Sequence, residues 1–346
     1  MTSATVKARR VLGRNLARKL QLAWYGSRQR GTLMYDTRAD ASFSAADAQG
    51  SYLLRLADGQ GWEIIAGRGA ELWVRKLASI MRLAHCASNG YPKLVFMRKS
   101  LGRDWWRDPV SGLAATVAEN LPEKGWIAHD LISLHLWAHN EVPDVLCEMG
   151  DEEDHDLDIV RMWLGLAPVY NRTLELGGLP LHSALVERNG TAVLLAGPGG
   201  TGKSTCCRRI PPPWKALCDD LSLAVQDEDE HYRVHPFPTW SNYLWKLSEG
   251  TWDVQQHLPL SAMFFLEQWE YDEVEELGQG QASILITESA QQICQTAWRN
   301  LIPEEERGLK EKLFQNACAV AGTIPIFKLR VSLEGRFWET MERVLF

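Results

Sequence analysis

Residues 194–205 of the chain read LLAGPGGTGKST. From Gly197 to Ser204 the letters fit the pattern G-x-x-x-x-G-K-[ST], in which successive backbone N–H groups curl around a β-phosphate. Gly199, Gly200 and Gly202 can take φ > 0, so the backbone can approach an anion without a Cβ in the way. We therefore predict a phosphate-binding loop made of these residues: Gly197, Pro198, Gly199, Gly200, Thr201, Gly202, Lys203, Ser204 and Thr205.

The residues on either side of this loop favour nucleotide binding. Thr191–Ala196 is a short apolar run, which predicts a buried strand leading into the loop, and a helix is expected to begin near Lys203. Lys203 would reach the β- and γ-phosphates, the Ser204 hydroxyl would hold Mg²⁺, and the helix dipole would favour the anion. We expect ATP and Mg²⁺ as cofactors; the alternative is a glycine-rich turn that meets the pattern by chance.

Length and composition favour a globular protein of two domains. The 346 residues are 45% hydrophobic and 23% charged, which is enough apolar sequence for sizeable cores. No run of about eighteen apolar residues and no apolar signal core occurs, so we expect no membrane span and a cytoplasmic location. Seven scattered cysteines favour reduced thiols over disulfides or a zinc site. The net charge of −7 argues against non-specific nucleic-acid binding by the whole protein, and no specific nucleic acid is expected as a partner.

Residues 1–176 are predicted to form an N-terminal α+β domain that contributes to substrate recognition. The first 35 residues carry eight Lys and Arg side chains and no acidic one, and their apolar residues recur at helical spacing. This basic arm either contacts an acidic partner, an anionic lipid surface or nucleic acid, or is a solvated helix packed on its own domain.

A helix is predicted within this domain from Ile127 to Asn140. On such a helix His135 and His139 lie four residues apart and His129 lies about one and a half turns away. They would share a metal-binding face, or they are ordinary surface and core histidines. No carboxylate occupies a matching position, which favours the second interpretation.

Two strand-like runs, Leu181–Arg188 and Thr191–Leu195, are joined by the dipeptide Asn189-Gly190. This dipeptide favours the type I′ turn, in which both central residues have φ > 0, so a β-hairpin is predicted to feed the phosphate loop. Most phosphate-loop proteins enter the loop from a parallel βαβ sheet, and an antiparallel partner immediately upstream is therefore a discriminating feature.

An aspartate pair, Asp219-Asp220, lies between two strand-like halves downstream of the loop. One carboxylate can bind Mg²⁺ and the other can take the proton of an attacking hydroxyl, and phosphoryl transfer needs both functions. Side chains alternate across a strand, so the carboxylates are expected on different faces unless the strand is kinked. Alternatively, both are turn residues or surface charges. His182 is either a structural histidine or, beside the aspartate strand, a group that orients or helps deprotonate Asp219.

Leu181–Ala184, the loop from Gly197 to Ser204, and Leu217–Leu221 together resemble the HPr kinase/phosphorylase family. That family shows a His strand, a G-x-x-G-x-G-K-S loop and an Asp-Asp pair in this order, and phosphoenolpyruvate carboxykinases share the core more distantly. Segments between His235 and Ala290 are similar to the SynChlorMet cassette proteins, an HPr-kinase-like group encoded near peptide-modification genes. The resemblance covers residues 179–346.

The resemblance implies that residues 177–346 form an α/β P-loop kinase domain of HPr-kinase type with a mixed sheet. It implies a serine kinase in which Asp219 is the base with His182 beside it, and Lys203 binds the phosphates. Ser204 and Asp220 would manage Mg²⁺. The chain lacks the Arg-Gly-Leu-Gly-type segment of HPr kinases, so HPr is not the expected substrate. A ribosomally made precursor peptide or a small protein is.

Two other functions stay open: a kinase of a small metabolite such as free serine, and a switch protein that only binds or hydrolyses nucleotide. The aspartate pair favours transfer over a switch, because hydrolysis needs only a positioned water. Arg299 and Arg330 either neutralise charge on the transferring phosphoryl group or are surface arginines. The sequence is also compatible with a homo-oligomer.

Overall fold

The structure, a computed structural model, describes residues 51–87, 90–98, 121–122, 124–131, 134–150, 152, 154–244, 250–298 and 300–346. The basic arm at residues 1–35 and the candidate Arg299 lie outside these described residues. No helix in the described part of the chain is long and apolar enough to span a bilayer. The chain is a mixed α/β structure with two mixed sheets, as the α/β prediction requires.

The first sheet has seven strands: β1 (Ser51–Arg55), β2 (Gly61–Ala66), β3 (Ala84–Cys86), β4 (Lys93–Arg98), β5 (Trp126–Leu131), β6 (Leu134–His139) and β7 (Val145–Met149). Their order across the sheet is β3-β1-β2-β4-β7-β6-β5. Three helices belong to the same half of the chain: α1 (Glu71–Met81), α2 (His155–Gly165) and α3 (Ala167–Glu175). The parallel pairs β2–β4 and β4–β7 lie at its centre, and their strands are the most apolar and buried.

The helix predicted over 127–140 is wrong, because this segment forms the antiparallel hairpin β5–β6. Leu134 and Leu136 alternate along β6 and are buried against the next strand, so a period of two fits the apolar residues as well as a helical period does. Pairing with β7 decides between the two. Because these residues form strands, His135 and His139 do not share a helical face that could bind a metal. His135 instead pairs with Asp130, and His139 Nε2 donates to the Lys124 carbonyl at 2.9 Å.

The second sheet consists of β8 (Leu179–Leu181), β9 (Ser183–Arg188), β10 (Thr191–Ala196), β11 (Lys215–Cys218), β12 (Leu221–Gln226), β13 (Tyr232–Phe237), β14 (Leu258–Gln268), β15 (Glu273–Glu276) and β16 (Ile326–Val331). The helices of this half are α4 (Lys203–Arg209), α5 (Trp240–Leu244), α6 (Gln279–Trp298), α7 (Pro303–Thr323) and α8 (Phe337–Leu345). The sheet order is β11-β9-β10-β14-β13-β12-β8, and β16 also pairs with β14. β10, β14 and β16 are mutually parallel. β9 runs antiparallel to β10, and β11 runs antiparallel to β9 and therefore in the same direction as β10.

Helices cover both faces of β10 and β14, which explains why these strands are continuous apolar runs. Leu194 and Ala196 belong to the core that includes α6 and α7. Val193 and Leu195 point to the opposite core, which includes residues of α4 and α8. The predicted hairpin before the loop is confirmed: Asn189 and Gly190 have φ of 53° and 79°, as a type I′ turn requires.

The strands beside the phosphate loop turn a corner at the same place. β8 pairs with β12 while β9 pairs with β11, so the chain changes partner between β8 and β9 and again between β11 and β12. His182 is the residue at the first corner, and Asp219-Asp220 are the residues at the second. The kink that the sequence left open is therefore present, and it brings these three residues together.

The two sheets share a core and are joined by main-chain hydrogen bonds. Trp252 N–H donates to Ile80 O at 2.8 Å, so the segment that precedes β14 binds the end of α1. His235, fully buried on β13, accepts a hydrogen bond from Ala57 N–H at 3.1 Å and donates from Nδ1 to Val254 O at 2.8 Å. One hydrophobic cluster runs through both halves. The division at residue 176 stays a prediction.

Candidate functional site

The phosphate loop leaves β10 through glycines that adopt left-handed backbone. Gly197, Gly200 and Gly202 have φ of 143°, 90° and 112°. A Cβ on Gly197 would lie 3.0 Å from Thr201 Oγ1, whereas a Cβ on Gly200 or Gly202 would meet no protein atom within 4 Å. The sequence prediction was right for positions 200 and 202 but named Gly199 in place of Gly197, where the chain turns out of the strand. The space above the loop is open to a ligand.

Lys203 is buried beneath this loop, with 6% of its surface exposed. Its Nζ donates to Gly197 O at 2.6 Å and reaches Pro198 O at 3.4 Å. Burial lowers the pKa of this ammonium to about 8, against the raising influence of Asp220 and Asp219. The lysine thus lies close enough to both aspartates to interact with their charges, and its ammonium contacts two carbonyls of the loop.

Asp220 contacts His182, whose Nε2 lies 3.1 Å from Asp220 Oδ1. Burial favours a higher pKa for this carboxyl, but the hydrogen bond and charge of His182, the charge of Lys203 and a hydrogen bond from Ser241 outweigh it and lower the pKa. Asp220 is therefore an ionised carboxylate with a third of its side chain exposed. The sequence placed His182 beside Asp219; the structure corrects this, because the two corners bring Asp220 to the imidazole.

Two contacts hold the His182 ring. Gln292 Nε2 donates to Glu288 O at 3.3 Å, so its Oε1 is the acceptor that lies 2.6 Å from His182 Nδ1. Nδ1 therefore donates to Gln292, while Nε2 lies 3.1 Å from Asp220 Oδ1. The imidazole is thus fixed between the amide of Gln292 and the carboxylate of Asp220.

Asp219 occupies the other side of the corner. Its Oδ1 accepts a hydrogen bond from Thr239 Oγ1 at 2.6 Å, and Thr239 is buried just beyond the end of β13. A carboxylate held through one oxygen keeps its second oxygen for another proton donor. Thr239, Ser241 and Gln292 were missed from the sequence, because no spacing or motif links these residues to residues 219 and 220.

The predicted residues differ in where the structure places them. His182, Asp220 and Lys203 interact directly or through their charges, Asp219 lies beside them, and Ser204 is the second residue of α4, half-buried at the loop. Arg330 does not join them. Its guanidinium pairs with Glu267 and with Glu273.

The residues present fit a magnesium nucleotide. The loop has open space where a Cβ would stand on Gly200 and Gly202, and Lys203 offers an ammonium to phosphate oxygens. The Ser204 hydroxyl and the carboxylates of Asp219 and Asp220 are hard oxygen donors of the kind that Mg²⁺ prefers.

A family model described as SynChlorMet cassette protein ScmC matches residues 145–346, more than half of the chain. The chain belongs to the ScmC family. The ScmC match contains the complete hairpin, phosphate loop and aspartate pair, and it begins upstream of the resemblance seen in the sequence, so it also includes β7, α2 and α3. No curated protein matches the chain.

Proposed function

We propose that this ScmC-family protein is an ATP-dependent kinase that transfers the γ-phosphate to a hydroxyl, most often a serine, of a ribosomally made precursor peptide or small protein. One observation carries the proposal: the corners of the second sheet gather Asp219, Asp220 and His182 at the phosphate loop that holds Lys203. A loop that served only to bind nucleotide would not need two carboxylates with different partners. We also propose that residues 177–346 are an HPr-kinase-like P-loop domain.

The proposed roles follow from the contacts of each residue. When bound, Mg-ATP supplies the phosphoryl group; Lys203 and the loop N–H groups would bind its phosphates, and Ser204 and Asp220 would hold the metal. Asp219, fixed through one oxygen by Thr239, accepts the proton of the acceptor hydroxyl. His182, fixed by Gln292, holds the Asp220 carboxylate in place beside the phosphate loop.

The substrate class rests on the family and on the first sheet. By the resemblance described above, SynChlorMet cassette proteins are encoded near peptide-modification genes, and a small metabolite would not need the surface that the first sheet adds. The N-terminal half is tied to the kinase half by the hydrogen bonds of Trp252 and His235, so a peptide held by the first sheet would keep a fixed position relative to Asp219.

Intact-mass measurement tests the proposal. Purified protein is incubated with ATP, Mg²⁺ and synthetic peptides encoded beside its gene, and we expect one added phosphoryl group with wild type and none with Lys203→Ala. Lys310→Ala, which alters an exposed lysine paired with Glu306, is the matched control and should act as wild type. Phosphoserine formed from free serine would instead indicate a metabolite kinase, and ADP release without any phosphorylated acceptor would indicate a switch protein.

A further inference from the structure

The order of strands at the edge that carries the loop indicates in which direction a bound triphosphate would extend. β11, β9, β10, β14 and β16 follow one another there, and the antiparallel strands β9 and β11 bring His182 and Asp219 to the edge where β10 ends. β14 and β16 end on the other side of the loop, at Gln268 and Val331. A triphosphate whose terminal phosphate faces Asp219 therefore extends its nucleoside end towards β14 and β16.

Exposed aromatic side chains occupy that side. Gln268 Nε2 donates to Gly200 O of the phosphate loop at 2.8 Å, which ties the end of β14 to the loop. The next residue is Trp269, with 46% of its surface exposed, and Tyr271 follows with 56% exposed. Their rings meet edge to face with centroids 6.4 Å apart. Two large aromatic side chains thus lie within three residues of Gln268, whose own side chain contacts the phosphate loop.

The turn that carries these rings is held in place. The Arg330 guanidinium lies 5.0 Å from the Trp269 ring centroid and is itself fixed by Glu267 and Glu273. Trp269 N–H donates to Val331 O at 3.0 Å. Arg330, a candidate for charge neutralisation, is thus engaged by two glutamates and lies over the Trp269 ring.

The loop helix is anchored to the same turn. Asp272 Oδ1 accepts hydrogen bonds from the backbone N–H and the hydroxyl of Ser332, at 2.6 Å and 3.0 Å. Arg209, at the end of α4, donates to Ser332 O at 2.7 Å. The aromatic turn and the phosphate loop are thus connected by hydrogen bonds, and a surface held in this way loses less conformational freedom on binding.

We propose that Trp269 and Tyr271 form the platform on which the purine base of the nucleotide stacks. This inference rests on the proposed nucleotide-binding function and adds to it the place where the base binds. Every purine presents a π-face to an aromatic ring, so stacking alone discriminates little between bases. ATP and GTP should therefore bind with similar affinity.

Calorimetric titration of the full-length protein with ATP, GTP and inorganic tripolyphosphate at fixed Mg²⁺ tests the platform. Trp269→Ala should weaken both nucleotides about 10-fold, from the loss of one stacked base, and leave tripolyphosphate affinity unchanged. Trp269→Phe, which keeps an aromatic face, should recover most of the nucleotide affinity. Phe314→Ala removes an aromatic ring of similar exposure from α7 and should change nothing.

The other outcomes separate the two proposals. Should Trp269→Ala bind ATP as wild type does while Lys203→Ala loses it, the platform is wrong and the nucleotide-binding function stands. An equal loss of tripolyphosphate and ATP affinity in Trp269→Ala would also overturn the platform, because it would mean a damaged loop. If Trp269→Ala weakens only the acceptor peptide, the aromatic surface belongs to the acceptor instead. Wild-type protein that binds neither ATP nor tripolyphosphate would overturn both proposals.

Discussion

Single residues at the proposed site already have partners before any ligand binds. Lys203 interacts with the charges of Asp220 and Asp219. The two carboxylates have different partners: a threonine hydroxyl for Asp219 and the His182 ring for Asp220. Because the loss of a base and the loss of a metal ligand have different effects on activity, the proposed roles of the two carboxylates can be tested separately.

Asp219→Asn should retain near-normal Mg-ATP affinity and lose phosphoryl transfer by about 10²–10⁴-fold, because removing a base slows only chemistry. Asp220→Asn should instead weaken the dependence on Mg²⁺ and be partly rescued by high Mg²⁺ or by Mn²⁺, which binds such sites more tightly. Nucleotide titration and metal titration of both variants check this, with the exposed Asp229→Asn as control.

Two results would count against this assignment. Rescue of Asp219→Asn by metal, with no rescue of Asp220→Asn, would reverse the roles. Full activity of both variants would mean that the aspartate pair is not the catalytic centre, and the proposed kinase function would fail with it.

Among the secondary-structure elements, α6 has the most direct influence on the site. Ser289 O accepts a hydrogen bond from His182 N–H, the Ser289 hydroxyl donates back to His182 O, and Gln292 holds the imidazole, so one helix grips both the backbone and the ring of the corner residue. Gln292 is a positioning residue, because it acts on the reaction only through His182.

Gln292→Ala should lower kcat by about 10- to 100-fold with little change in the KM for ATP, since a ring without its Nδ1 acceptor can turn away from Asp220. Gln292→Glu keeps an acceptor oxygen and should restore most of kcat, whereas a merely structural loss would not be rescued in this way. Steady-state kinetics of both variants, with Gln291→Ala as the neighbouring control, check the expectation. Equal kcat in wild type and Gln292→Ala would exclude the positioning role.

The elements that could be predicted from the sequence are those in which the local backbone conformation or the expected ligand requires particular residue types. Asn189-Gly190 predicts its turn because both positions need φ > 0, and Lys203 within its glycines predicts the loop. The pairing of His182 with Asp220 could not be predicted, because it depends on two corners whose positions are set by sheet pairing. Residues 127–140 were misassigned for a related reason, since contact with β7 decides between periods that both fit.

Across the whole molecule, His235 joins the two sheets as a neutral, fully buried ring between Ala57 and Val254. Burial lowers its pKa to about 4, and His257, with its ring centroid 5.4 Å away, adds to the effect. In the unfolded chain the ring titrates near 6.5. Between these values the unfolded state binds the proton that the folded state refuses, so the free energy of unfolding falls as pH falls from about 6.5 to about 4.

At low pH, His235 should lower the free energy of unfolding by at most about 3 kcal/mol, and above pH 7 it should have no such effect. His235→Gln keeps an acceptor and a donor but does not titrate, so its stability should fall less steeply than that of wild type over the same range. Urea unfolding of the two proteins from pH 7.5 to pH 4.5 measures the difference. Parallel stability profiles would show that the junction histidine does not make the fold acid-sensitive.

The chain positions of the proposed site have a consequence for how the protein is made. His182, the phosphate loop, the aspartate pair and Thr239 all come from residues 182–239, whereas Trp269 and Gln292 come later. On a ribosome, these residues from His182 to Thr239 are therefore all synthesised before the aromatic turn and before the helix that contacts His182. The order of synthesis thus separates the groups proposed to bind phosphate from those proposed to bind the base and to position His182.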